Sequence, residues 1–92
     1  MHEEAMVRDL VRKVEEVARS EGGIRVTRVR LWVGALSHLT ARGLRDRWPV
    51  ATRQTAAEGS DLDLTVSSDP RDPRSTDIVL ESVDVAPSGE VA

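Results

Sequence analysis

Ile24-Arg25-Val26-Thr27-Arg28-Val29-Arg30-Leu31-Trp32-Val33 has the periodicity of a β-strand. Thr27, Val29, Leu31 and Val33 alternate with Arg28, Arg30 and Trp32, and a period of two marks a strand with one buried face. Trp32 falls on the outward face among arginines. There it either covers their aliphatic stems or anchors a partner, since Trp is enriched at binding hot spots.

Ahead of this stretch, Gly22-Gly23 closes a helix, because glycine accepts the left-handed conformation of a C-terminal cap. That helix runs from about Glu3 to Ser20. Its apolar residues, Ala5, Met6, Val7, Leu10, Val11, Val14, Val17 and Ala18, recur mainly at spacings of three and four, one face of a helix. Charges four apart, such as Glu4 with Arg8 and Asp9 with Lys13, line the solvated face.

Beyond the strand, Thr40 is a good N-cap for a second helix over about 41–54 that buries Leu44, Trp48 and Ala51. Pro49 removes a backbone donor and presses on the carbonyl of Arg45, which predicts a kink or two short helices. Glu58-Gly59-Ser60 is a turn. Asp61-Leu62-Asp63-Leu64-Thr65-Val66 is a second alternating strand, whose Asp61 and Asp63 share a solvent face. Residues 67–76 hold Pro70 and Pro73 and no large apolar residue, so they form an exposed loop. A last strand spans about 77–85, and its buried face switches near Ser82, the sign of a bulge or of cover on both sides. Residues 86–92 are expected as a flexible tail.

The element order is α-β-α-β-β. The fold class is α+β: a three-stranded mixed sheet with two helices packed on it. The strand-helix-strand portion suits a parallel crossover, and the last two strands suit an antiparallel hairpin closed by the polar loop.

Composition narrows the function. The 92 residues make one small domain with a modest core. Apolar residues are 39% of the chain and aromatics only 2%, so Val, Leu, Ile, Ala and Met must build the interior. A net charge of -3 and the lack of stacking aromatics argue against nucleic acid. No apolar run approaches the ~20 residues that span a bilayer, and the acidic start is unlike a signal peptide. Without cysteine there are no disulfides, thiolate metal sites or cysteine nucleophiles. The cytoplasm is the expected compartment.

The chemistry rests on few residues. His2 matters for its position. The α-amino group, the residue 2 amide nitrogen and the residue 2 imidazole can close adjoining chelate rings about one metal ion. The Glu3 amide or carboxylate completes four donors in a plane, a tetragonal, nitrogen-rich set suited to Ni(II) or Cu(II). The first helical N–H groups have no intrahelical partner, so a metal can displace their protons without breaking the ladder. Because methionine is retained before a large residue, the amine is that of Met1. Glu3 and Glu4 add negative charge at the positive helix end. The alternative is an ordinary exposed histidine. His38, in the loop after the first strand, reads as a plain loop histidine. Ser37 beside it has no orienting third group and makes no catalytic pair.

Met1-His2-Glu3 at the head of an amphipathic helix is followed by a Val-rich strand and Gly34-Ala35-Leu36-Ser37. A helix containing Leu44, then Thr55, Glu58-Gly59 and a Leu-rich strand come next. In this order the chain resembles the HypA/HybF family of hydrogenase nickel-incorporation proteins over about residues 1–66, and again from Ile78 to Val85, where Leu80-Glu81-Ser82-Val83-Asp84-Val85 is similar to the family's closing strand. The resemblance implies a nickel metallochaperone for maturation of nickel-iron hydrogenase. It would deliver Ni(II) to the large subunit, with the GTPase HypB as a further partner and Met1, His2 and Glu3 as the nickel site. The resemblance also puts the loop of His38 near the metal end of the fold, which would make His38 a further donor. It also implies a zinc domain between the last two strands, held by two Cys-x-x-Cys pairs. This chain departs there: it has no cysteine, and residues 67–76 stand in that place. The expected organisation is thus a nickel-binding domain over 1–85 without a cysteine zinc site. A degenerate interaction module that no longer delivers metal is the alternative. No nucleophile–base constellation or phosphate-cradling loop suggests an enzyme.

Overall fold

The alternating stretch becomes the central strand of the molecule. The computed structural model describes residues 2–87, with the side chains of His2, Ile24 and Pro87 outside the description. The elements are α1 (His2–Ser20), β1 (Gly23–Val33), α2 (Ala41–Ala51), β2 (Asp61–Val66) and β3 (Ile78–Pro87). They form the expected α+β fold, a mixed three-stranded sheet of order β2-β1-β3 with both helices packed on it.

β1 and β2 are parallel, as the crossover requires, with Val29 opposite Leu62 and Leu31 opposite Leu64. The expected hairpin does not form: β3 pairs antiparallel with β1, not with β2. Length explains this. β1 offers eleven residues to the ladder and β2 only six, so pairing with β1 satisfies more of β3's backbone groups. The polar loop therefore crosses the end of β1 to reach the opposite edge.

That crossing is tightly tied. Ser67 N–H donates to Val33 O at 2.9 Å, Gly34 N–H to Asp77 O at 2.8 Å and Leu36 N–H to Ser75 O at 2.7 Å. A Cβ on Gly34 would lie 2.3 Å from Ser75 O, so only glycine lets the loop pass this close. Arg74, carried by the loop, sets its guanidinium 4.9 Å from the Trp32 ring centroid, a cation–π distance. Trp32 thus lies under Arg74.

The buried face of β1 is Val29, Leu31 and Val33, as the alternation indicates, but below them the buried residue is Val26, and Thr27 is exposed. A register shift between Val26 and Arg28 moves the phase by one residue. Ala56, in the connection after α2, accepts from Val26 N–H at 2.8 Å there. The bulge expected near Ser82 is present: Arg30 faces Ser82 and Leu31 faces Leu80, leaving Glu81 unpaired between them. β3 runs to Pro87, two residues into the segment expected as a tail; residues 88–92 lie outside the described residues.

Both helices close the core from one side. α1 contributes Val7, Leu10, Val11, Val14 and Ala18, and α2 contributes Leu44 and Trp48. The buried indole of Trp48 donates to Ser60 Oγ at 3.0 Å. Thr40 caps α2 as expected, its Oγ1 accepting from Gly43 N–H at 3.0 Å. Pro49 does not divide the segment: α2 is one helix that stops two residues later, with Thr52 N–H bonded to Trp48 O. Near its C-terminus the helix loses only the Arg45 carbonyl's partner. Gly22, at φ 76, supplies the left-handed turn after α1.

The sheet's other face is uncovered by helices and carries a charge ladder. Arg28 lies 3.9 Å from both Asp61 and Asp63, and Arg30 lies 3.8 Å from Asp63 and 3.0 Å from Asp84. The solvent-face aspartates of the sequence thus meet the arginines of β1.

Candidate metal centre

A two-residue turn, Glu21-Gly22, joins α1 to β1, so the two run in opposite directions. The start of α1 therefore comes to the end of the sheet where β1 finishes, and where loop 34–40 and loop 67–77 also lie. The helix begins at His2, which leaves the amides of its first turn without intrahelical acceptors. Glu3 and Glu4 sit in that turn.

Of the three expected ligands, Glu3 is fully described. It is half-buried. Its carboxyl is held below the ordinary carboxylate value, first by its own backbone N–H, then by a hydrogen bond and the positive charge of the chain's amino terminus, with Arg47 adding a weaker pull. Glu3 is thus a carboxylate at neutral pH. Met1 lies outside the described residues, and of His2 only the backbone is described.

α2 packs beside this front end. A cleft of about 480 Å³ separates the helices, lined by Val7, Arg8, Asp46, Arg47 and Val50 among others. Arg47 also donates to Gly43 O at 3.4 Å. The part played by Arg47 was not visible in the sequence, because it depends on how α2 packs on α1. His38 is exposed on loop 34–40 at the same end of the fold. Among the described residues no three His, Asp or Glu side chains gather as a metal cluster, so His38 has no donor set of its own. No helix of the described residues is long and apolar enough to cross a membrane.

The fold defines a class, a small α+β domain with one mixed sheet covered on one face by two helices. The model of the family described as "Hydrogenase/urease nickel incorporation, metallochaperone, hypA" matches residues 1–69. The chain is 39% identical over 64 residues to the hydrogenase maturation factor HypA of Acidithiobacillus ferrooxidans, covering 70% of this chain and 57% of that one. It is 38% identical over 66 residues to the HypA of Methylocella silvestris, covering 72% and 58%. The solution structure of the Ni metallochaperone HypA from Helicobacter pylori superposes with a TM-score of 0.78 at 13% identity, over 94% of this chain and 98% of that one, which establishes the shared fold. The chain belongs to the HypA family of nickel-incorporation metallochaperones. The match spans a little over half the length of these curated relatives.

Proposed function

We propose that this protein is a cytoplasmic nickel carrier that binds Ni(II) at its amino terminus and delivers it to the large subunit of nickel-iron hydrogenase. The carrying observation is that His2 and Glu3 open α1 in a chain of the HypA family whose sequence begins Met1-His2-Glu3. In this reading the Met1 amine, the His2 amide and the His2 imidazole grip the ion. The Glu3 amide or carboxylate takes the fourth position. Nickel is cargo here, so the site must also let go. Binding displaces protons from the amine, imidazole and amides, and their return favours release. The amides concerned belong to the helix start, so metal exchange leaves the remaining hydrogen-bond ladder of α1 intact. The GTPase HypB is a further proposed partner, and His38 is a secondary donor at most.

Calorimetric Ni(II) titration of the native-start protein beside one extended by two residues tests the site. The extension moves the amine away from His2, so tight one-to-one binding and a square-planar spectrum are expected only with the native start. His2→Ala is expected to abolish both. Unchanged affinity in the extended protein would rule the site out.

A second reading, an interaction module that engages maturation partners without carrying metal, rests on the absence of cysteine from this chain. In it, as in the first, residues 67–76 stand where the family carries its zinc domain. Capture of the hydrogenase large subunit that is unchanged by His2→Ala, with no nickel transferred, would select it.

A further inference from the structure

The two edges of the sheet are not equivalent. β2 is short, its outward residues Asp61 and Asp63 are acidic, and Arg45 of α2 already donates to Leu62 O at 3.2 Å. β3 is ten residues long and ends the sheet on the other side. Against its first half lies a groove of about 600 Å³ between α1 and the strand, with Met6, Leu10, Ile78, Val79 and Leu80 as its apolar lining and Asp9, Lys13, Thr76 and Asp77 as its polar rim. Gly34 N–H donates to Asp77 O, so by the alternation of an antiparallel ladder 77 and 79 address β1, while 78 and 80 turn their backbone groups to the free edge. The unpaired Glu81 interrupts the edge beyond this point. What remains is a docking stretch from Asp77 to Glu81, with acidic residues at both ends.

We propose that this edge receives an extended peptide segment of a partner protein as a fourth strand, with apolar residues at alternate positions and a cationic residue on either side of them. Ile78 and Leu80 face the same side as Val33 and Leu31 of β1, so alternate residues of an added strand would enter the groove beside Met6 and Leu10. Asp77, Val79 and Glu81 alternate to the other side, so the intervening residues of the added strand meet Asp77 and Glu81, both exposed. Lys or Arg at those two positions gives opposite-charge cross-strand pairs. Backbone hydrogen bonds supply affinity and the alternating side chains supply specificity, the general mode of strand addition. A second copy of this chain is the poorer occupant. Antiparallel pairing of two such edges about Val79 sets Asp77 of each copy opposite Glu81 of the other, like charge against like.

The test uses the metal-free full chain and is independent of the nickel site. Fluorescein-labelled nine-residue peptides with the core Lys-Val-Thr-Val-Lys, Glu-Val-Thr-Val-Glu or Val-Lys-Thr-Lys-Val are titrated by anisotropy, and the bound site is mapped by amide shifts. The Lys-flanked peptide is expected to bind best, by roughly tenfold over the Glu-flanked one, with shifts confined to β3 and the first half of α1. The double substitution Asp77→Lys, Glu81→Lys, at exposed positions, is expected to reverse the preference while leaving the rest of the amide spectrum intact. Equal affinity for all three peptides, shifts on β2, or a reversal that fails would overturn the proposal. So would concentration-dependent dimerisation mapped to the same strand.

Discussion

Single residues carry two separable demands in this protein, one chemical and one steric. Glu3 shows the first. Acetylating the amine removes a hydrogen-bond partner and a positive charge, so the Glu3 carboxyl is expected to titrate closer to its ordinary value, though not all the way, because its own backbone N–H remains. The sign follows. A lowered carboxyl value favours the folded front end above the ordinary pKa, and that contribution is lost as pH falls through the lowered value. Carboxyl carbon shifts followed by NMR against pH, with and without the acetyl group, check it. Gly34 shows the steric demand. In Gly34→Ala the new methyl meets the Ser75 carbonyl, and the loop must lift. A loss of about 1–3 kcal/mol is expected, with faster amide exchange at Leu36, whose N–H bonds Ser75 O. The sequence marked Gly34 only as the residue after a strand. Its steric role requires the chain to return over it forty residues later, which no local pattern encodes.

At the scale of elements, both helices form, but α2 is one helix that ends at Ala51, three residues short of the expected stretch 41–54. α1 follows its apolar spacing, with Asp9 taking Arg12 at 3.5 Å, three residues away, in preference to Lys13 four away. α2 depends on its cap. Thr40→Ala strands the Gly43 N–H in a first turn already weakened by glycine, and a loss of about 1 kcal/mol is expected in thermal unfolding. Thr40→Ser should keep most of that stability, since its hydroxyl reaches the same amide. The strands were legible as strands, but their phase was not. Thr27 and Val26 exchange places because the bulge below Arg28 answers to β3 and to the Ala56 carbonyl, both remote in sequence.

For the molecule as a whole, the one-sided packing of the helices leaves the opposite sheet face to the Arg–Asp ladder. Arg30 is its hub, bonding Asp84 and Ser82 Oγ on β3 and approaching Asp63 on β2. Such exposed pairs are individually weak, so Arg30→Met is expected to cost about 1 kcal/mol or less, and the difference should shrink in 1 M salt, where the Debye length falls to about 3 Å. Chemical denaturation with urea at two salt concentrations measures it. The sequence by itself determined the five elements, their order, the α+β class and the buried face of most of β1, and it is the source of the proposed donor set at the amino terminus. Those follow from periodicity, caps and covalent adjacency, which are local. Only the tertiary structure decided that β3 crosses to the far side of β1, that the charged faces of three strands form one ladder, that Arg47 acts on Glu3, and that one sheet edge is left open beside an apolar groove. Each of these joins residues far apart in the chain, and such contacts are selected by which pairing satisfies the most backbone groups and buries the most apolar surface at once.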